Sequence, residues 1–448
     1  MASDDPAGSP ESAEFARVVG AGDRDGLDAV RDLVGNARVV ALGEGAHNIT
    51  EFHEFRDRLF RLLVRDLGFS ALVTESGFAE GLAVDAWVHG GPGQVGAIAR
   101  EGLTYRFGEC EPVRRQLRWM RRWNAGRAGR AGQDASPRAG GARVSFYGMD
   151  LPGSSTSPGP AVRACLDRIP GRPGDGELLR LADLGGRTEA AVRYADMPAV
   201  ERIRLLAGLD ELVERAFSLD DEVARRCAAS LRALVQELEG ADPFPAQPYP
   251  RDAFMAETVE WILGRERRVL VSAHNAHVRR SPLDGRPMAG GLLAASAGAG
   301  LVVIATTYGS GPEVRFTQRS ARPFDCEVSL GARRLAPHCV EARLEQLADE
   351  RAGDRPGPGG RSAVVADLRR APDGFFAGVE GTLAGGSLDT VDDFPAAYDA
   401  LVHFRRVTPV PGAFERLRAE FAGAAGPGGP KSPRSSKSSK NCKESQSP

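Results

Sequence analysis

The sequence is almost without lysine: Lys431, Lys437, Lys440 and Lys443 all fall in the final segment, and arginine carries the rest of the positive charge. With a formal net charge of -2 there is no general basic field for nucleic acid or an anionic membrane surface, so neither is expected as a partner. No stretch approaches the ~18 consecutive apolar residues of a membrane helix. Residues 1–14 are polar and acidic with no apolar core segment, so a secretory signal is not expected and the expected location is cytoplasmic. The six cysteines are scattered, with no Cys-x-x-Cys pair and no zinc-like spacing, and reduced thiols are expected. No Gly-x-Ser-x-Gly elbow follows a strand, which weighs against a nucleophilic serine.

What is present is a chain of 448 residues, 42% hydrophobic and 26% charged, enough for one large or two ordinary soluble domains. Its organising stretch is Arg38 to His53, where the apolar run Val39 to Leu42 stops at Gly43-Glu44-Gly45-Ala46-His47. The run reads as a buried strand. The following residues put Phe52, Phe55, Leu59, Leu62 and Leu63 on one face of a helix, with Asn48 and Glu51 spaced as a capping box. A helix is expected over 14–34, and further strands at 69–74, 144–148, 268–273, 301–306, 363–368 and 398–404. Between Pro160 and Gly264 only amphipathic helical patterns occur.

Short apolar runs alternating with helices predict an α/β fold, with a mostly parallel central sheet flanked by helices and an inserted helical subdomain or lid. The expected organisation is a disordered start over 1–13, a first part of the α/β domain over 14–159, and the helical insertion over 160–264. A second α/β part follows over 265–421, with a disordered Lys/Ser/Pro-rich tail over 422–448. Exposed loops are expected at 126–141 and 353–360, and a Pro-rich turn at 242–250.

Four predicted strands end in ionisable residues: Glu44 with His47, then Glu75, Asp150, and His274 with His277. Ligands of such sheets bind beyond the carboxyl ends of the strands, so parallel neighbours would bring these groups together. Histidine takes up and releases protons near neutrality, and a carboxylate beside it orients the ring. The pattern points to proton transfer. Glu44, His47, Glu75, His274 and His277 are also plausible metal ligands, but His274-Asn-Ala-His277 follows a strand and lacks the helical HExxH form, so no metal is expected. Asp150 and Asn275 join His277 as candidate groups for positioning substrate or water.

In order along the chain stand Leu42-Gly-Glu-Gly-Ala-His47 with Glu51, Phe52 and Arg56; Thr74-Glu75; Phe146-Tyr-Gly-Met-Asp150; Arg251-Asp252; Ser272-Ala-His-Asn-Ala-His277; Ala366-Asp-Leu-Arg369; and Tyr398 to Phe404 with Thr408-Pro409. These pieces resemble the erythromycin esterases and their bacterial relatives, over roughly Ala37 to Val410. Asn48 stands where that family has a glycine after the histidine. The resemblance implies metal-free and cofactor-free hydrolysis of an ester or macrolide lactone by activated water. His47 would be the general base, supported by Glu44 and Glu75. His274 and His277 would position water or stabilise the oxyanion, and Arg56 would reach the same pocket. The expected partner is a bulky small-molecule substrate. Two alternatives share the residues: a biosynthetic enzyme using the acid/base site for elimination, cyclisation or acyl transfer, and a non-catalytic metal- or haem-binding protein.

Overall fold

The computed structural model describes residues 15–20, 24–128, 142–240, 247–351 and 362–424. The expected disordered ends, the loops at 126–141 and 353–360 and the start of the Pro-rich turn lie largely or wholly outside the described residues. The strands are β1 (Ala16–Gly20), β2 (Val39–Glu44), β3 (Ala71–Gly77), β4 (Ser145–Asp150), β5 (Val269–His274), β6 (Leu301–Ser310), β7 (Pro312–Gln318), β8 (Cys326–Ala332), β9 (Ser362–Asp367), β10 (Gly381–Ala384), β11 (Ser387–Thr390) and β12 (Ala400–Arg406). Eight of them form a mostly parallel central sheet, and helices make up most of the rest. The fold is α/β.

The chain divides into two compact units, one of residues 1–70, 266–315 and 330–411, the other of 71–265, 316–329 and 412–448. In the first, the strand order is β1-β9-β12-β6-β2-β5. β12, β6, β2 and β5 are parallel, while β9 runs antiparallel to both β12 and β1. β2 and β5 are buried along their whole length, which is why they read as unbroken apolar runs rather than alternating ones. Their register pairs Glu44 with His274, so two of the candidate residues leave the sheet side by side.

In the second unit β3 and β4 are parallel. Helices follow from Gly159–Leu166 to Pro250–Leu263 and bury a shared core that includes Val162, Leu181, Leu209, Leu212, Leu231 and Phe254. The helix Glu222–Leu238 begins where the Asp221 carboxylate accepts the Ala224 N–H at 2.8 Å, a side-chain cap that fixes its start. No described helix is long and apolar enough to cross a membrane.

Three local expectations need correction. The helix expected over 14–34 begins only at Arg24; residues 16–20 form the edge strand β1, where consecutive valines pair with β9. The capping box does not form. Ile49 is the N-cap of the helix Thr50–Leu67, and the Glu51 carboxylate instead accepts the Thr408 N–H at 2.8 Å and the Thr408 hydroxyl at 2.9 Å. Finally, Cys110, Cys165, Cys227 and Cys339 are free and buried, but Cys326 is disulfide-bonded.

Candidate active site

The loop after β2 is shaped by what surrounds its glycines. A side-chain carbon on Gly43 would lie 2.3 Å from the Asn275 Oδ1, and one on Gly45 would lie 2.7 Å from the Thr306 carbonyl oxygen. Asn275 also donates from Nδ2 to that carbonyl at 2.9 Å, and the Thr306 hydroxyl donates to the Gly43 carbonyl at 2.8 Å. Asn275 therefore ties the carboxyl end of β5 to β6, and Thr306 ties β6 to β2. Asn48 sits at φ 59°, in the left-handed region that asparagine tolerates better than most residues and glycine best.

This backbone sets the His47 Nδ1 2.6 Å from the Glu44 Oε1. The His274 ring stands edge-on to it, with centroids 5.4 Å apart. Burial works to raise the pKa of Glu44, but the hydrogen bond and charge of His47, then His53 and Arg56, outweigh it and hold the carboxyl down at about 2. An ionised Glu44 accepts Nδ1–H and leaves the His47 Nε2 as the basic nitrogen. His274 caps the short helix Asn275–Val278, its Nδ1 accepting the Ala276 N–H at 3.4 Å, so a neutral His274 carries its proton on Nε2. Arg56 is buried and donates to the Ser272 hydroxyl at 3.4 Å. His277 is fully buried. His53 is buried, and its electrostatic environment includes Glu44 and Arg56.

In the second unit Glu75 and Asp150 gather around a residue that the sequence reading left without a role. Arg251 donates from Nε to Asp150 at 2.9 Å, and from Nη2 to Asp150 at 2.8 Å, Glu75 at 3.0 Å and the Tyr105 hydroxyl at 2.9 Å. Tyr105 donates to Asp150 at 3.0 Å and meets the Ser155 hydroxyl at 3.1 Å. Burial pushes the Tyr105 phenol well above its ordinary pKa, so it remains a neutral donor. Burial disfavours the Arg251 cation, but Asp150, Tyr105 and Glu75 more than compensate. A sequence signal for Arg251 existed. It lies in the first turn of the helix Pro250–Leu263, where the helix dipole disfavours a cation unless carboxylates face it.

A model of the erythromycin esterase family matches residues 64–407. The chain belongs to the erythromycin esterase family. It is 27% identical over 289 residues to erythromycin esterase type II of Escherichia coli and 20% identical over 284 residues to type I of the same organism, each match covering 58% of this chain. The matched stretches span 65% and 66% of those relatives' own lengths. Among solved structures, a mutant of the erythromycin esterase EreC in its open conformation superposes with a TM-score of 0.62 at 18% identity, covering 87% of this chain and 97% of that one. A Bacillus cereus protein gives 0.61 at 20% identity, covering 88% and 96%. A succinoglycan biosynthesis protein gives 0.60 at 17%, covering 86% and 91%. These likenesses are of fold.

Two buried groups are expected to make this erythromycin esterase family member labile to acid. Burial, with the nearby Arg56, lowers His53 from 6.5 to about 3, and Glu44 is lowered from 4.5 to about 2. Both pKa values are depressed in the folded state. Each contribution is therefore complete above the unfolded pKa and is lost as pH falls towards the folded one. Stability should begin to decline below about pH 6.5 through His53 and decline further below about 4.5 through Glu44. The His53 part is on the order of 5 kcal/mol at about 1.4 kcal/mol per pKa unit, reached in full only as pH falls to about 3. Denaturant unfolding at a series of pH values checks this: His53→Asn should flatten the decline between pH 6.5 and 4.5, and an unchanged slope would contradict it. Among the described residues, no three His, Cys, Asp or Glu side chains are grouped so as to hold a metal ion.

Proposed function

We propose that the chain is a hydrolase that cleaves an ester or lactone of a bulky small molecule, such as a macrolide or another natural product, with a water activated by His47. The observation that carries this reading is the 2.6 Å contact between the His47 Nδ1 and a Glu44 carboxylate held ionised. The His47 Nε2 takes a proton from water as the oxygen adds to the substrate carbonyl. The resulting oxyanion receives the Nε2–H of His274, with the Arg56 cation adding positive charge. Collapse of the tetrahedral intermediate breaks the ester bond, and the His47 imidazolium returns its proton to the leaving alkoxide.

In the second unit one oxygen of Glu75 is bound to Arg251. Asp150 acts through Arg251 and Tyr105, and His277, with no exposed surface, acts by supporting the turn that carries His274. The names of the relatives make macrolides the first substrates to try, followed by other lactones. A converted substrate is then turned over once in water enriched in heavy oxygen. Hydrolysis puts one solvent oxygen into the product carboxylate; a product without label would sink the hydrolase and leave elimination, cyclisation or transfer at the same site.

A further inference from the structure

In the second unit a cavity of about 570 Å³ is lined by the helices Glu222–Leu238 and Pro250–Leu263 and by Phe217. That volume is within the range of small-molecule sites. None of its lining residues belongs to the catalytic set proposed above. Phe217, Phe254 and Trp261 give it aromatic surface, and Arg225, Arg226 and Arg232 line it from the first helix.

Its charge is unbalanced once existing pairs are removed. Two acids line the cavity, and both are engaged: Glu222 pairs with Arg265, and Glu257 accepts from Arg226 at 3.0 Å. Among the described residues, Arg225 pairs only with the almost fully exposed Asp220 at 3.5 Å, and Arg232 pairs with the exposed Glu214 at 3.9 Å and lies 4.9 Å over the Phe217 ring. Exposed pairs of this kind hold a guanidinium weakly. Arg226 is different. It is 9% exposed, its guanidinium lies 4.6 Å above the Phe254 ring, and its buried Nε–H has no hydrogen-bond acceptor among the described residues. A buried donor left without an acceptor is a cost to the fold that a ligand oxygen would remove.

We propose that this groove binds an organic anion, a carboxylate borne on an aromatic or other flat apolar body. The carboxylate accepts from the Arg226 Nε and from the guanidinium of Arg232 or Arg225, while the ring packs against Phe217, which is 39% exposed, and Trp261. Guanidinium donors suit a carboxylate better than an amide because the acceptor charge strengthens each bond.

The test is calorimetric titration of the full chain with 1-naphthoate and with neutral 1-naphthamide. The expected result is saturable one-site binding of naphthoate, with the amide weaker by about tenfold or more, the worth of one charge-assisted bond. Arg226→Met should weaken naphthoate by a similar factor. Should that variant fail to fold, Arg232→Gln, a change at a half-exposed side chain, decides: a severalfold loss is expected. No saturable heat at millimolar naphthoate, equal affinity for acid and amide, or naphthoate binding unchanged in the folded variants would each overturn the proposal.

Discussion

Replacing His47 with alanine is expected to lower kcat for the ester substrate by about 10²-fold or more, the usual worth of a general base, with KM little changed. The loss should fall on kcat because Nε2 handles a proton only as the water attacks, whereas substrate binding does not require that transfer. The fold should survive. The His47 side chain is 21% exposed, and its removal takes one hydrogen bond from Glu44, whose charge is still favoured by Arg56. Added imidazole should restore part of the turnover in His47→Ala, which a merely structural histidine would not permit. Glu44→Gln gives the companion result. The ring stays in place, but an amide no longer stabilises the imidazolium, so kcat falls, and the melting temperature falls with it because the contribution of the ionised carboxylate is lost. Near-normal turnover in His47→Ala would remove His47 from the mechanism.

How much of this was legible in the residues depends on the range over which each feature is determined. β2 and β5 could be read because a strand buried on both faces must be apolar throughout, and its end is marked by the first polar group, Glu44 in one case and His274 in the other. That the two strands are neighbours could not be read, since residues paired across them, such as Glu44 and His274, are 230 positions apart and only packing chooses the partner. Asn48 and Glu51 had the spacing of a capping box, but tertiary contacts took both: the Asn48 carbonyl accepts from Val410 at 2.8 Å and Glu51 binds Thr408. β1 was missed because an edge strand needs only a half-buried pattern, and Arg17 interrupts its apolar residues. The hairpin of β10 and β11 was legible and passed over. Gly385 and Gly386 both take positive φ, 55° and 81°, as a two-residue turn of that kind requires. Asp150 was found because it ends a strand, whereas its partner Arg251 lies 101 residues away on a helix, with no local pattern linking them.

That distant partner supplies the second large effect. Arg251→Met should destabilise the protein by about 3–5 kcal/mol, the range found when one member of a buried ion pair is removed. The reason is what remains: the Asp150 side chain has no exposed surface and that of Glu75 only 3%, so two carboxylates lose the cation that faces them without gaining water. Methionine keeps most of the volume, so the loss reports charge rather than a cavity. A double variant separates the two causes. Asp150→Asn added to Arg251→Met removes one uncompensated charge, and the pair should be more stable than Arg251→Met alone, a coupling that denaturant unfolding of the four proteins in the cycle measures directly. If the cluster served packing only, the two losses would add. Tyr105→Phe should cost far less, since it removes one phenolic oxygen and leaves the bidentate Arg251–Asp150 contact whole. An Arg251→Met variant as stable as the parent would mean that the carboxylates do not need their guanidinium. The cation in the first turn of its helix, unfavourable for the helix alone, would then be without a physical reason.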